Sequence, residues 1–552
     1  MDRLIKVQYK NIIKEYKEDT PLKEVAESFQ KDYNFPILAA RIDNVIEELS
    51  QTLTKKCQID FYDRSSVYGH TIYSHGVQFL MIVAIKKVLG NDAEVIIQHS
   101  IDKGVYCEIV NKDINKDIIA AIEEKMFEMV NQNYNFIKLS VARKDAIEFY
   151  RKKKQFDKVK VLKYISNTYV NLYRLDEYYD YFFSDMPYST KVLDEFKLTY
   201  IKDNGFALSY PTVNSPKTTS NYSHHKMLFD AFLDYTNLGK TIAISNAADL
   251  NEIVSTGNYG DVIQLAEANY NGQLAKVADM ISSRKGSVKV VLLAGPSSSG
   301  KTTTARKLQV YLKARGFKTH SISIDDYFHN RVDTPKKSNG DYDFESIRAI
   351  DTDLFNKQLL KLLSKEKVLL PYYNFITGER EYKDNYLQLG DDDIIVIEGL
   401  HALNPELTMA LDEESKFKIY ISPLTQLNID NHNRIHTSDT RRLRRIIRDN
   451  KYRGRTAADT LRGWKNILEG EEEYIFPYQN SADVIINSAL IYELGVLKTY
   501  AEPLLFSVNE NDEIYPEAIR LINFLRNFLP IPSDEVPKDS VLREFIGGSV
   551  FH

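Results

Sequence analysis

"VVLLAGPSSSGKTTTARKL", Val290–Leu308, runs from an apolar stretch through a turn of small residues into a lysine and three threonines. Gly295, Gly300, Lys301 and Thr302 satisfy the pattern G-x-x-x-x-G-K-[ST]. The aliphatic run ahead of it predicts a buried strand, and "TTARKLQVYLKARG" behind it predicts a helix. A loop of Gly295, Pro296, Ser297, Ser298, Ser299 and Gly300 between such elements can curl its N–H groups around phosphate oxygens at the positive end of the helix. Lys301 would then reach the β- and γ-phosphates, Thr302 would offer its hydroxyl to magnesium, and Thr303 would extend the cradle.

Working outward from this loop, apolar strands alternate with helices in "THSISID", "DDIIVIEGL", "FKIYISP" and "ADVIINSAL". Such alternation predicts a parallel sheet covered by helices on both faces, the P-loop NTPase type of α/β fold. The second of these strands ends in Glu398, at the sheet edge where ligands bind in open α/β folds, so Glu398 joins Thr302 as a candidate metal residue. "SISIDDYFHN" ends in Asp325 and Asp326, either of which could accept a proton from an attacking hydroxyl. "DTRRLRRIIRDNKYRGR", Asp439–Arg455, sets Leu443, Ile446 and Ile447 at helical spacing among arginines. It reads as a helix with one packed side and one guanidinium side, a mobile lid suited to the charge of a transferring phosphoryl group.

The chain has 552 residues, enough for several domains. Hydrophobic residues are 43% and charged residues 27%, with a net charge of −5, which does not favour nucleic acid or an anionic membrane as partner. Cys57 and Cys107 are the only cysteines, so neither a disulfide framework nor a thiolate zinc site is expected, and a cytoplasmic location fits. The first twenty residues lack the apolar core of a signal peptide, and no apolar run is expected to span a membrane. The predicted architecture is multidomain α/β. Two α+β domains occupy residues 1–60 and 61–210, a linker and helical segment 211–285, the phosphate-loop domain 286–492 and a helical tail 493–552. "YPTVNSPKTTSNYSHHK", Tyr210–Lys226, reads as a surface loop.

Seven segments, in order, resemble the phosphoribulokinase–uridine kinase group of P-loop kinases, most closely the uridine kinases: "GPSSSGKTT", "SIDDYF", "YDFESIRAID", "LPYYNFITGER", "IIVIEGLHALN", "RRLRRIIRDNKYRGR" and "ADVIINSAL". The resemblance covers roughly residues 289–490. It implies ATP and Mg2+ as cofactors, a small-molecule acceptor, and transfer to a nucleoside 5′-hydroxyl. By position, Asp325 matches the catalytic aspartate, and Thr302 and Glu398 match the magnesium-associated residues. Asp343 matches the ribose-binding aspartate and Tyr373 an acceptor-site tyrosine. Arg445, Arg448, Arg453 and Arg455 match lid arginines, with Lys301, Arg445 and Arg448 expected to serve catalysis. Two family positions differ: the base-reading histidine falls on Gly378 and a lid glutamine on Gly463.

The N-terminal part resembles the β-grasp TGS domain and the editing-type domain of threonyl-tRNA synthetases, through "PLKEVAESFQKDYNFPILAARIDNVIEEL", "GHTIYSHGVQFLMIVAIKKVLG" and "DEFKLTYIKDNGFALSYP". The two histidines of the editing helix are replaced by Tyr73 and Val77, and His75 reads as a helix-start polar residue. The resemblance thus implies a degenerate editing domain without hydrolytic chemistry. The combination matches a bacterial nucleoside kinase architecture, for which a homo-oligomer is expected. Two other readings stay open: a kinase for another sugar-like metabolite, and an RNA-linked, ATP-dependent switch.

Overall fold

The computed structural model describes residues 3–551 except 102, 203, 221, 224, 225, 338, 339, 341, 410 and 426, and only the backbone of Ile101 and Tyr235. Positions 221, 224 and 225 of the expected Tyr210–Lys226 loop therefore lie outside the described residues. The rest of that segment before Lys226 is irregular, as its composition predicts.

The chain begins with a mixed five-stranded sheet. Its order is Ile12–Lys17, Leu4–Tyr9, Cys57–Asp63, Ile37–Ile42, Val45–Glu48, and Leu4–Tyr9 runs parallel to Cys57–Asp63 at its centre. Ile5, Val7 and Tyr9 alternate inward and pack with Leu22, Val25 and Ala26 of the crossing helix, the period-two pattern of a half-buried strand.

The next unit is built around the helix Val67–Leu89, begun by Ser66, whose hydroxyl accepts the Gly69 N–H at 3.1 Å. This helix corrects two expectations. By length and composition it could cross a membrane, yet 78% of its most apolar window is buried inside the protein, as for a core helix. His75 is not at its start but near its middle, buried, with Nδ1 2.6 Å from the Ser184 hydroxyl. Two antiparallel sheets flank the helix: the four strands Lys197–Lys202, Gly205–Ser209, Gly104–Ile109 and Val95–Ile101, and the three strands Tyr178–Tyr181, Tyr169–Leu175 and Phe136–Ala142.

Five parallel strands form the sheet that carries the phosphate loop, in the order Lys318–Ser323, Asp393–Glu398, Val290–Ala294, Lys416–Ser422, Val484–Asn487. Every residue of Val290–Ala294 and Asp393–Glu398 is buried, which is why these strands read as continuous apolar runs rather than alternating ones. "LPYYNFITGER" contributes a separate antiparallel hairpin, Val368–Asn374 with Glu379–Leu387.

Helices Lys226–Thr241, Ala247–Ser255 and Tyr259–Ser283 lead into the sheet. The last of them meets the loop helix, Lys301–Lys313, where the hydroxyls of Tyr270 and Thr304 lie 2.5 Å apart. Glu493–Phe506 and Tyr515–Leu525 are the helices of the tail, which ends in the short turn Arg543–Ile546. Val541, Leu542, Phe545 and Ile546 belong to the same hydrophobic cluster as the sheet, and so do Ala146, Tyr150, Val161 and Leu172 of the preceding unit. A buried ion network ties those two parts together. Lys158 Nζ lies 2.9 Å from both Asp180 and Asp430, and His432 Nδ1 lies 2.5 Å from Asp180.

Candidate active site

Steric demand explains the small residues of the loop. A Cβ on Gly295 would fall 2.1 Å from the Ile421 carbonyl oxygen, and Gly300 has φ +86°, where a side chain is strained. Ser298 also takes a positive φ of 60°. The hydroxyls of Ser298 and Ser299 have no hydrogen-bond partner. Lys301 Nζ donates to the carbonyls of Gly295 and Pro296 at 3.0 and 3.1 Å. Burial lowers its pKa, and the charges of Glu398, Asp325 and Glu544 oppose that shift.

Every residue from Gly295 to Gly300 is buried. Part of the cover is the tail. Glu544 Oε2 accepts the backbone N–H of Thr303 at 3.1 Å, and a Cβ on Gly300 would meet Val541 at 2.3 Å. Glu471 covers the other side, accepting the Ser297 N–H at 2.8 Å and pairing with Arg441. Carboxylates thus occupy one N–H of the loop and one of the helix N-terminus, which favours anions.

The two candidate aspartates separate. Asp326 Oδ1 accepts the Tyr373 N–H at 3.2 Å and so faces the hairpin; burial raises its pKa to about 6. Asp325 lies close enough to Lys301 and Glu398 for its charge to act on both. Glu398 is buried at the strand end, accepts the Ser323 hydroxyl at 3.0 Å, and is raised to about 7 by burial and then by Asp325. Thr302 is exposed one residue after Lys301.

The arginine segment is the helix Thr437–Arg453, and half of its guanidinium groups are structural. Arg444 is fully buried against Glu493, with Nη2 donating to the Ser488 carbonyl at 2.8 Å. Arg442 pairs with Glu517, and Arg441 and Arg442 both lie under the ring of Trp464 at 5.5 and 5.2 Å. Arg445 donates to the Ser297 hydroxyl on the loop. Asp449, itself buried, gathers Arg445, Arg448 and Arg453 at 3.1, 2.9 and 3.7 Å. Arg453 also stacks 5.3 Å over Phe375 of the hairpin, joining the two elements. Arg455 is exposed beyond the helix end; its backbone N–H donates to the Asp449 carbonyl at 3.2 Å, and its charge acts on Arg445.

On the hairpin, where the resemblance expects an acceptor residue, Tyr373 is 3% exposed, packed on Phe328 and Phe375, and its hydroxyl has no partner. Asp343, Lys337, Glu469, Gly470, Glu473 and Tyr474 line a cavity of about 250 Å³. Gly378 has φ +77°, and a Cβ there would lie 2.7 Å from Arg331 Nε, so backbone and neighbour both exclude the family's histidine. Gly463 has ordinary helical φ and room for a Cβ, the nearest atom being 3.5 Å away. Sequence reasoning did not assign Glu345, His401, Glu471 or Glu544. Glu345 and His401 stand inside quoted motifs, whereas Glu471 and Glu544 carry no local signal.

In the synthetase-like part, Tyr73 OH donates to the Glu195 carbonyl at 2.8 Å and accepts its N–H at 2.9 Å, and Val77 is fully buried. Arg434, from the sheet-bearing half, enters this unit, where Nη1 donates to Ser100 at 2.7 Å and Nη2 lies 2.8 Å from His436 Nδ1.

Residues 290–492 match the Phosphoribulokinase / Uridine kinase family. A uridine kinase of Borrelia duttonii is 31% identical over 226 residues, 38% of this chain and 95% of that protein. A threonine–tRNA ligase of Ehrlichia chaffeensis is 28% identical over 166 residues, 30% of this chain and 26% of that protein, and the similarity falls on the N-terminal region. The solved structure of a possible uridine kinase from Bacillus stearothermophilus is aligned along its whole length with 39% of this chain, at 22% identity and a TM-score of 0.26. With a loop, a strand-end glutamate and a flanking aspartate in the places its motifs demand, this chain belongs to the phosphoribulokinase/uridine kinase family and is a phosphotransferase that acts on a hydroxyl acceptor.

Proposed function

We propose that the chain transfers the γ-phosphoryl group of ATP to the 5′-hydroxyl of a uridine-like nucleoside. The observation that carries this reading is the convergence of Asp325, Glu398 and Lys301 on one loop, with Asp343 and Tyr373 on the adjoining acceptor segments. Asp325 takes the proton as the acceptor oxygen bonds to the γ-phosphorus. The bond from that phosphorus to the β–γ bridging oxygen breaks, and ADP leaves with the oxygen. Lys301, released from the loop carbonyls, and Arg445 and Arg448, held by Asp449, stabilise the equatorial charge.

Thr302 and Glu398 supply two hard oxygen donors that fit Mg2+, which when bound neutralises charge on the β- and γ-oxygens. Among the described residues no group of three or more His, Cys, Asp or Glu could cage a metal alone.

The N-terminal sheet fits a TGS-like β-grasp module, and the unit after it an editing-type module that serves as a scaffold. Tyr73 and Val77, both buried, stand where the editing helix would carry its histidines, which supports a scaffold without hydrolytic chemistry. A cytoplasmic location suits the two buried free thiols, Cys57 and Cys107. A homo-oligomer remains part of the proposal and is read by light scattering. The experiment that tests the activity is an acceptor screen with ATP and magnesium, read as ADP release. Turnover of nucleosides supports the reading, and turnover of sugars alone supports the sugar-like alternative.

A further inference from the structure

The end of the chain, residues 537–548, touches both the loop helix and the arginine helix. On the loop side, Val541 packs against Gly300 and Glu544 Oε2 accepts the Thr303 N–H at 3.1 Å. One turn further along the loop helix, Lys307 Nζ lies 2.9 Å from Asp539. On the other side Lys451 of the arginine helix donates to the Ile546 carbonyl at 2.7 Å, and Arg444 stacks 5.0 Å over Phe545. Arg543 braces the segment from within, donating to the Ser533 and Val536 carbonyls, each at 2.7 Å. Leu542, Phe545 and Ile546 are buried in the hydrophobic cluster of the sheet and tether the turn Arg543–Ile546. Glu544 is only half-buried, and its carboxylate rests on the Thr303 N–H against the repulsion of Glu398. An N–H of the first helical turn is a donor that a phosphate oxygen takes equally well.

From this arrangement we infer that residues 537–548 are an autoinhibitory strap: the Glu544 carboxylate holds a phosphate donor of the loop helix, and a polyphosphate binds by displacing it. The inference rests on the reading of the loop as a nucleotide site. Competition follows from charge, because a carboxylate and a phosphate oxygen cannot share one N–H, and each repels the other at close range. The strap also links two events. Lys451 grips the segment that covers the loop, so displacement of the turn by a polyphosphate loosens one hold on the helix that carries Arg445 and Arg448. The arginine helix is thus braced against the empty loop and eased when the loop fills. A plain helix cap is the simpler role for Glu544. It predicts the opposite responses, since removing a cap weakens the helix that binds the phosphate, and a bound ligand tightens whatever packs beside it.

The test uses the full chain with magnesium and inorganic triphosphate as the probe, and measures ATP turnover beside it. Glu544→Gln is expected to tighten triphosphate binding roughly 3- to 10-fold in calorimetry. Asp539→Asn, which loosens the hold on Lys307 without touching the loop, is expected to tighten it roughly 2- to 3-fold. The amides of residues 543–547, held in turn hydrogen bonds, are expected to exchange hydrogen faster when triphosphate saturates the wild-type chain. Unchanged or weaker binding by folded Glu544→Gln, or slower exchange of those amides, overturns the strap. If Glu544→Gln does not fold, the exchange measurement and Asp539→Asn decide in the same way. Absence of triphosphate binding by every protein overturns it as well, since no phosphate site is then guarded. If triphosphate behaves as expected but ATP is turned over with no acceptor, the strap is upheld and the ATP-donor reading fails separately.

Discussion

Glu544 accepts the N–H of Thr303 across 241 positions of chain, so a carboxylate sits on a donor that the loop helix otherwise offers to a nucleotide phosphate. On the proposed reading, nucleotide binding displaces that carboxylate, beside which Val541 packs against Gly300. Glu544→Gln removes the negative charge while keeping the shape. It is expected to lower the KM for ATP by about 3- to 10-fold, consistent with loss of one like charge in a partly buried site. A higher KM in steady-state assays would mean that Glu544 assists nucleotide binding instead.

Asp325→Asn is expected to reduce the phosphoryl-transfer rate by about 100-fold or more, the scale of a lost general base, with nucleotide affinity little altered. Single-turnover kinetics beside fluorescent-nucleotide titration separates the two effects. Equal transfer rates would move the proton acceptor elsewhere, and Asp326, engaged by the Tyr373 N–H, is poorly placed for it.

Lys158 is fully buried between Asp180 and Asp430. Lys158→Met removes the ammonium that the two carboxylates share, leaving Asp180 with His432 and Asp430 with neutral donors from His432 and Asn433. It is expected to destabilise the protein by about 3–5 kcal/mol, read from the urea midpoint. A loss below about 1 kcal/mol would show that the network contributes little to joining the two halves.

Burial raises Asp326 to about 6 and Glu345 to about 7. Between the ordinary carboxylate values near 4 and these raised values, the folded state holds more protons than the unfolded one. Stability contributed by these groups is therefore present at low pH and lost as pH rises through about 6 to 7. Glu345→Gln and Asp326→Asn are each expected to flatten the decline in urea midpoint between about pH 4 and pH 7. Parallel profiles for wild type and variants would place the pH dependence in other groups.

The centre of the kinase half was legible because its chemistry is local in sequence. Val290–Ala294 and Asp393–Glu398 are buried on both faces, so composition alone marks them as strands, and the loop's glycines stand where backbone and neighbours leave no room. The hairpin over Val368–Leu387 was less legible, since its second strand is mostly exposed and polar and carries no apolar period. Partners joined only by the fold were invisible: Glu471 on the Ser297 N–H, Glu544 on the Thr303 N–H and Arg434 among the residues of the second unit. An isolated glutamate in a polar helix looks like any solvated residue. The arginine run was read as a lid face because its apolar spacing was plain. That Arg441, Arg442 and Arg444 would be paired inside the protein depended on Glu471, Glu517 and Glu493, none of them local.

The chain contains one tryptophan, and Trp464 lies buried over Arg441 and Arg442 of the arginine helix. Indole emission responds to nearby cations and to water. The protein thus carries an optical reporter packed against its arginine helix. Occupancy of the loop can be followed in the unlabelled enzyme, in real time, without an assay for the product.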